Sequence, residues 1–418
     1  FSTGLIYEPS SFGRTDEVIE LARVVAAYGG IYHTHIRNER QGLLAAVREA
    51  VEISEKAGLP AHISHFKVLG KPNWGLVKDA CAVIEEARSR GLKITADQYP
   101  FPFSNQNPYA PLVPRSVWTG AASDRLTSRD LTRVFEHLGD SELIELYKKA
   151  TPYIPLSARH LGFLNGLSRS RLVDFVSEAL FDLSNVQGAA NPRERALFFQ
   201  RLSDPEEGRK IREAVRKTIV EGNGPEQYLV GMCAEKALEG KTLRDVAALK
   251  GLSVEDAAIA LDLMGAECIP VSMSEADLAT IMAKDYVGTG SDGAAPFYGV
   301  GNFHIRSYST FLHKIKKFAL EDKTISVAAA IRSQTSLPAS IMGWTDRGRV
   351  REGAKADLVV LDLGRIRTPA TASNPHQYAE GVVHLLINGR FAIDQGAPTG
   401  ALPGRVLASG RGTPGPTS

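Results

Sequence analysis

The sequence is poor in the features that mark several protein classes. Its 418 residues include only three cysteines, Cys81, Cys233 and Cys268, which are widely spaced and show no Cys-x-x-Cys pattern. Reduced core thiols are therefore expected rather than a disulfide scaffold. No apolar run approaches the length of a membrane span. No block of like charge stands out in a chain of formal net charge +2, so we expect neither a membrane nor a nucleic-acid partner. A cytoplasmic location is also expected.

Several catalytic motifs are also missing. The chain has no Gly-x-x-x-x-Gly-Lys-Ser/Thr loop, no dinucleotide fingerprint at a first strand–helix turn, and no Gly-x-Ser-x-Gly elbow. P-loop nucleotide chemistry, dinucleotide binding and serine hydrolysis consequently have little support. The length and a hydrophobic content of 43% fit a large globular protein with more than one domain.

Strand-like and helix-like segments alternate over the first hundred residues. Apolar residues recur at helical spacing from Thr15 to the Gly29-Gly30 pair, then from about Gln41 and from about Trp74. The intervening apolar, β-branched stretches are predicted strands, at 31–36, 61–68 and 92–100. This alternation is typical of right-handed βαβ units around a parallel sheet.

The alternation stops after Phe101. Residues 105–220 show helical patterns, such as 131–138 and 142–147, and no convincing buried strand, so we predict a mostly helical insertion. Barrel-type strands are expected again at 227–232 and 286–293, followed by helices at 307–319 and 324–334, which places one barrel domain over 1–345. Strand patterns at 353–362 and 381–393, with a hairpin at Asn388-Gly389, predict a small β domain over 346–418 with a loose tail from Gly410.

Histidines end the first two long strands. Period-2 geometry places His33 and His35 on one face of the first strand. In the second, His65 and Lys67 share a face, whereas His62 points the other way. Neighbouring parallel strands would place their imidazoles at one edge of the sheet, and the active sites of barrel enzymes lie at that edge. Two imidazoles can meet one zinc ion; hydrogen-bonded structural histidines are the alternative interpretation.

Further polar residues follow other predicted strand ends. Asp292, in Gly290-Ser-Asp-Gly293, is the best candidate for acid–base work, with an Asx turn as its structural alternative. Asp97 and Tyr99 share a face at the end of the third strand. Their structural alternatives are an Asp97 that only accepts hydrogen bonds from the backbone and a Tyr99 that only belongs to the core. Lys67 and Arg306 could clamp an anionic group, unless both are simply solvated.

Taken in order, these stretches resemble one family. The matching pieces are Phe1–Pro9, Gly29–Glu39, Ile63–Lys67, Ala96–Pro100, Gly290–Gly293, Thr335–Ser340, Arg347–Gly353, Ala356–Asp362, Asn374–Gly381 and Ile387–Gly389. Their order and spacing are similar to those of the N-acyl-D-amino-acid deacylases (D-aminoacylases) of the amidohydrolase superfamily. The likeness covers nearly the whole chain except the 105–220 insertion.

The resemblance implies an α/β fold, a TIM-like (β/α)8 barrel with a small β-sandwich built from both chain ends. It also implies zinc-dependent hydrolysis of the N-acyl amide bond of N-acyl-D-amino acids, giving a carboxylate and a free D-amino acid. The implied roles, by motif match, are zinc binding for His35 and His65, catalysis for Asp292, and binding of the substrate carboxylate for Lys67, Tyr99 and Arg306.

The chain also departs from the family pattern. The His-x-His pair of the first barrel strand and a cysteine ligand have no counterpart here, since Cys81 falls within a predicted helix. We expect these ligands in a segment upstream of Phe1 or on a second chain; a homo-oligomer is another expected arrangement. The family's His-Pro-Arg is His304-Ile-Arg306. Two alternatives stay open: hydrolysis of a dipeptide or cyclic amide, and a truncated, non-catalytic subunit.

Overall fold

The structure, a computed structural model, describes residues 1–7, 9–104, 112–113, 138–150, 168–173, 175–176, 192–221, 224–231, 233, 235–264, 266, 268–294, 298, 304–371 and 374–407. Within that part of the chain, no helix is long and apolar enough to cross a membrane. Several predictions lie outside it, namely the helical pattern at 131–138, most of the 105–220 insertion, the loop 299–303 and the tail from Gly410.

The helices and strands alternate as expected up to residue 97. The strands are β1 (Ser2–Gly4), β2 (Tyr32–His35), β3 (Ala61–Ile63), β4 (Ile94–Asp97), β5 (Tyr228–Val230), β6 (Cys268–Pro270), β7 (Val287–Gly288), β8 (Leu358–Leu361), β9 (Val382–Ile387), β10 (Arg390–Asp394) and β11 (Ala397–Pro398). The α-helices are α1 (Thr15–Ala27), α2 (Leu43–Ala57), α3 (Leu76–Ser89), α4 (Asp140–Ala150), α5 (Pro192–Ser203), α6 (Pro205–Glu221), α7 (Leu243–Lys250), α8 (Val254–Leu263), α9 (Glu275–Met282), α10 (Arg306–Lys314), α11 (Val327–Gln334) and α12 (Ser336–Met342). A π-helical turn, Ile315–Glu321, continues α10.

A parallel sheet of five strands forms the centre of the first part of the chain. Its order is β1-β2-β3-β4-β7, and each adjacent pair is parallel. Side chains at registered positions of neighbouring strands point to the same face of a sheet. The register aligns Ser2, His33, His62 and Thr95 in one row across four strands, so the sheet brings two histidines side by side.

Local sequence explains why these elements form. Asp16 and Glu17 occupy the first turn of α1, where they favour the positive end of the helix dipole. Gly58 ends α2 with φ +72°, a left-handed conformation that glycine adopts without strain. The helices cover the sheet with an apolar core that includes Val47, Ile63 and Ile84.

The second long strand is shorter than predicted. The apolar pattern indicated a strand over 61–68, but β3 ends at Ile63. The chain leaves the sheet there because His65 adopts φ +34°. The turn is anchored on both sides, since Ser64 N–H donates to Thr34 O at 2.9 Å and Phe66 N–H donates to Asp97 O at 2.7 Å. This turn, rather than strand parity, decides where His65 points.

The C-terminal strands form a separate antiparallel sheet in the order β11-β10-β9-β8. The predicted hairpin is confirmed, because Asn388 and Gly389 join β9 to β10 with φ of +50° and +77°, the signs that a type I′ turn requires. The described residues of this region show one four-stranded sheet, so the expected β-sandwich is not confirmed.

Contacts divide the chain into two compact units. Residues 1–104, 271–295 and 303–418 form the first, and residues 105–270 and 296–302 form the second. In the second unit β5 pairs with β6 in an antiparallel two-stranded sheet, so the prediction of a parallel barrel strand at 227–232 was wrong. The helical pattern at 142–147 is confirmed by α4. The predicted domain boundary at residue 346 stays a prediction.

Candidate metal centre

Two histidines and one carboxylate meet at the carboxyl ends of β2 and β3. This upper group consists of His35, Glu39 and His65, whose ligand atoms lie within 4.8 Å of one another. Glu39 Oε1 lies 3.5 Å from His35 Nε2 and 3.1 Å from His65 Nδ1. The two imidazole rings are 4.2 Å apart between centroids. The structure therefore brings together the two histidines predicted to bind metal, with a carboxylate that the sequence analysis did not select.

Lys67 contacts two members of the upper group. Its Nζ donates to Glu39 Oε1 at 2.5 Å and to His65 Nδ1 at 2.8 Å, and both charged side chains are almost fully buried. Burial alone would raise the pKa of Glu39, but the charge of Lys67 and the contacts from His65 and His35 lower it to about 2. Glu39 is thus a buried carboxylate that stays ionised, as a metal ligand would be.

His35 has the properties of an available ligand. Burial lowers its pKa to about 4, so the imidazole is neutral at pH 7. Its Nε2 is buried and has no hydrogen-bond partner within the described part of the chain, although buried polar atoms normally have one. A neutral imidazole with an unpaired buried nitrogen, beside an ionised carboxylate and a second imidazole, fits a divalent transition metal.

Asp292, Arg306 and Tyr99 form a second contact set. Asp292 Oδ2 lies 2.8 Å from Arg306 Nη1, and the Arg306 guanidinium lies over the Tyr99 ring, 4.8 Å from its centroid. Asp292 follows β7 with φ +48° and keeps 42% of its side chain exposed. Burial raises the pKa of Tyr99 well above its ordinary value, so Tyr99 remains a neutral phenol. Arg306 therefore contacts both of the other predicted residues.

Tyr7 lies close to both sets of side chains. Its ring meets His35 edge-on at 4.7 Å. Burial raises its pKa, and the charges of Glu39 and Asp292 raise it further, which places the Tyr7 hydroxyl within electrostatic reach of both carboxylates. Tyr7 was not among the site residues predicted from the sequence. The available signal was its place just after a strand end, in the segment Phe1–Pro9 that matches the family.

His304 has a structural task. Its Nε2–H donates to Phe103 O at 3.0 Å, and its Nδ1 accepts the backbone N–H of Arg306 at 3.0 Å. Burial, followed by the charge of Arg306, lowers its pKa to about 3. Both nitrogens of this neutral imidazole are used to fix the start of α10, and hence Arg306.

A lower group of similar composition lies within the sheet. It consists of His33, His62 and Asp97, whose ligand atoms also lie within 4.8 Å of one another. His62 Nε2 lies 2.8 Å from Asp97 Oδ2, and the rings of His33 and His62 are 4.7 Å apart. Strand parity had placed His62 away from the site face. The register instead sets it beside His33, because His65 is the residue that leaves the strand.

The chain is similar in sequence to known proteins. Residues 206–393 match the profile described as "Amidohydrolase family". Two proteins of Alcaligenes xylosoxydans xylosoxydans, an N-acyl-D-glutamate deacylase and a D-aminoacylase, are each 26% identical over 407 residues, 97% of this chain and 60% of theirs. The resemblance to the N-acyl-D-amino-acid deacylases is confirmed. The chain spans about 60% of the length of these curated relatives.

A solved structure supports the fold. It is an N-acyl-D-glutamate deacylase from Bordetella bronchiseptica complexed with zinc and a phosphonate inhibitor, with a TM-score of 0.59 and 23% identity. The match covers 97% of this chain and 62% of that one. The predicted α/β fold of the TIM-barrel type is therefore confirmed, and five parallel strands of this chain form its sheet.

Proposed function

We propose that the protein hydrolyses the N-acyl amide bond of N-acyl-D-amino acids with a divalent metal, Zn²⁺, held by the upper group. The observation that carries the proposal is the buried His35–Glu39–His65 set, with its unpaired His35 Nε2, at the carboxyl edge of a parallel sheet. Barrel enzymes place their active sites at that edge. The names of the similar proteins, N-acyl-D-glutamate deacylase and D-aminoacylase, supply the substrate class.

The upper group would hold the ion through the two imidazoles, with Glu39 as the neighbouring carboxylate. When bound, Zn²⁺ supplies polarisation of the amide carbonyl and a lowered pKa for water. His35 needs no deprotonation at pH 7, because burial has already lowered its pKa to about 4. Glu39 is ionised as well, so both residues are in the protonation state that metal binding requires.

Asp292 is assigned the proton transfer. Its partly exposed carboxylate can take a proton from the attacking water and return it to the leaving amine. The contact with Arg306 Nη1 at 2.8 Å fixes one carboxylate oxygen and leaves the other available. The left-handed backbone at Asp292 directs the side chain from a tight turn, as expected for a residue held in one orientation.

Substrate orientation is assigned to Lys67, Tyr99 and Arg306. Arg306 is buried, and its Nε has no hydrogen-bond partner among the residues that the structure describes, which leaves a donor for an anionic group. If these residues hold the substrate carboxylate in one place, its position determines which enantiomer presents its amide bond to the upper group. Lys67 already donates to Glu39. To help orient the substrate, it must therefore bind the substrate carboxylate and the Glu39 carboxylate together.

A panel of N-acetyl-D- and N-acetyl-L-amino acids tests the proposal, with release of the free amino acid as the readout. We expect turnover of D-substrates by the zinc-loaded protein, little or none of the L-enantiomers, and loss of turnover in His65→Ala. Equal rates for both enantiomers would contradict the D-deacylase assignment. Turnover of dipeptides or cyclic amides alone would point to another amidohydrolase reaction on the same scaffold.

A further inference from the structure

The lower group is built without any residue of the upper group. His33 on β2 and His62 on β3 are registered neighbours, and Asp97 ends β4. All three side chains thus come from strands of one sheet. The ring of His33 makes no hydrogen bond within the described part of the chain, and His33 is exposed to solvent. One ligand of the cluster is therefore free to bind an incoming ion.

The other two side chains are held by a surrounding set of hydrogen bonds. His62 Nδ1 is 2.8 Å from Thr95 Oγ1, which leaves Nε2 as the nitrogen that faces Asp97. Asp97 Oδ1 accepts the backbone N–H of His65 at 2.8 Å, which leaves Oδ2 as the oxygen that faces His62. Metal-binding histidines and carboxylates are typically oriented by such contacts at their second heteroatom.

We propose that the lower group is a separate binding site for a divalent transition metal such as Zn²⁺, with His33, His62 and Asp97 as ligands. A set of two imidazoles and one carboxylate favours these transition-metal ions over Mg²⁺ and Ca²⁺, because Mg²⁺ and Ca²⁺ bind mainly oxygen ligands. The exposed side of His33 leaves room for water in the remaining position. The site does not depend on the proposed hydrolytic function.

A second His–Asp pair provides the matched control. His384 Nδ1 and Asp394 Oδ1 lie 2.8 Å apart in the C-terminal sheet, the same separation as in the His62–Asp97 pair. No third ligand joins this pair in any metal-type cluster among the described residues. If a histidine–aspartate hydrogen bond were enough to explain metal binding, both pairs would behave alike.

The test measures zinc affinity in protein whose upper group has been removed by His35→Ala and His65→Asn. Asparagine is chosen because it tolerates the left-handed backbone at position 65. It also keeps the backbone N–H of residue 65, which donates a hydrogen bond to Asp97 Oδ1. The metal-free protein is titrated with Zn²⁺ against a chromophoric chelator. We expect about one ion per chain, and a dissociation constant at least tenfold higher after His33→Ala is added.

The added His33→Ala change should leave the fold intact, since His33 is exposed, and urea denaturation of the metal-free variants checks this. His384→Ala on the same background should leave zinc affinity unchanged. The proposal is overturned if the background protein binds no zinc, or if His33→Ala binds it as tightly as the background. Neither result depends on hydrolysis, so it leaves the proposed function to its own test.

Discussion

The upper and lower groups have the same composition but are constructed differently. Each brings two histidines and one carboxylate within 4.8 Å. The lower group lies on three adjacent strands of the sheet, with His33 and His62 at registered positions and Asp97 at the end of β4, so backbone hydrogen bonds of the sheet set its geometry. The upper group depends on loop residues, on the left-handed turn at His65 and on the buried Glu39–Lys67 pair. A site made from loops can place its ligands at the open sheet edge, but it relies on more supporting contacts.

Removing a ligand of the upper group should have the largest effect. We expect His35→Ala to lower kcat/KM for N-acetyl-D-amino acids by about 10³-fold or more, about 4 kcal/mol of transition-state stabilisation. The reason is the loss of a buried imidazole nitrogen that has no hydrogen-bond partner among the described residues. Steady-state kinetics with His384→Ala as control measure the effect. Activity within threefold of wild type would remove the upper group from the chemistry.

Breaking the buried Glu39–Lys67 ion pair beside the upper group should destabilise the fold. The lower group contains no lysine or arginine, so the comparison is specific to the upper group. Lys67→Met leaves Glu39 buried without its cation, and removing one partner of such a pair costs about 3–5 kcal/mol of unfolding free energy. Urea denaturation at pH 7 measures it.

The pH dependence of that loss identifies its cause. An unpaired buried carboxylate favours its protonated form, so the deficit of Lys67→Met should shrink as the pH falls from 7 toward 4. Lys67→Arg, which keeps the cation, is the matched variant. A deficit that does not change with pH would indicate lost packing instead of an uncompensated charge.

Asp97 links the two groups, and its replacement should have an intermediate effect. One carboxylate oxygen accepts from the His65 backbone and the other contacts His62. We expect Asp97→Ala to weaken zinc binding at the upper group and lower activity by about 10- to 100-fold, as for other residues that orient metal ligands. Asp97→Asn retains an acceptor for His65 N–H and should recover part of the loss. Equal losses in both variants would contradict a positioning role.

The smallest effect concerns acid stability. Burial lowers the pKa of His35 to about 4, from an ordinary value of 6.5. The unfolded chain therefore binds more protons between pH 6.5 and 4, and stability falls as the pH drops through this window. We expect His35→Ala to reduce that loss by on the order of 1 kcal/mol in metal-free protein. Urea midpoints measured across the window, with His384→Ala as control, would show an unchanged slope if His35 titrates normally.

Much of the sheet could be predicted from periodicity, and part of the site could not. The alternation of apolar runs predicted β2, β3 and β4 because each strand is a local pattern. The antiparallel pairing of β5 with β6 was missed because strand partners are chosen by tertiary contacts, which an isolated apolar run does not encode.

The site shows the same division. The motifs predicted His35, His65, Lys67, Asp292, Tyr99 and Arg306, and the structure places them in two contact sets. Glu39 was missed because nothing in the local pattern shows that a loop carboxylate is buried against a lysine. The lower group was missed because strand parity was extended past Ile63, where the chain turns at His65. Backbone turns and register are properties of the folded sheet, so side-chain direction near a strand end needs the structure.

The central claim is that the upper group binds the metal used in hydrolysis, and a crystal of the zinc-loaded protein tests it most directly. An anomalous difference map collected at the zinc absorption edge should show a peak at bonding distance, about 2.0–2.1 Å, from one ring nitrogen of His35 and one of His65. A map with no peak at these two residues, in a protein that turns over N-acetyl-D-amino acids, would contradict the account.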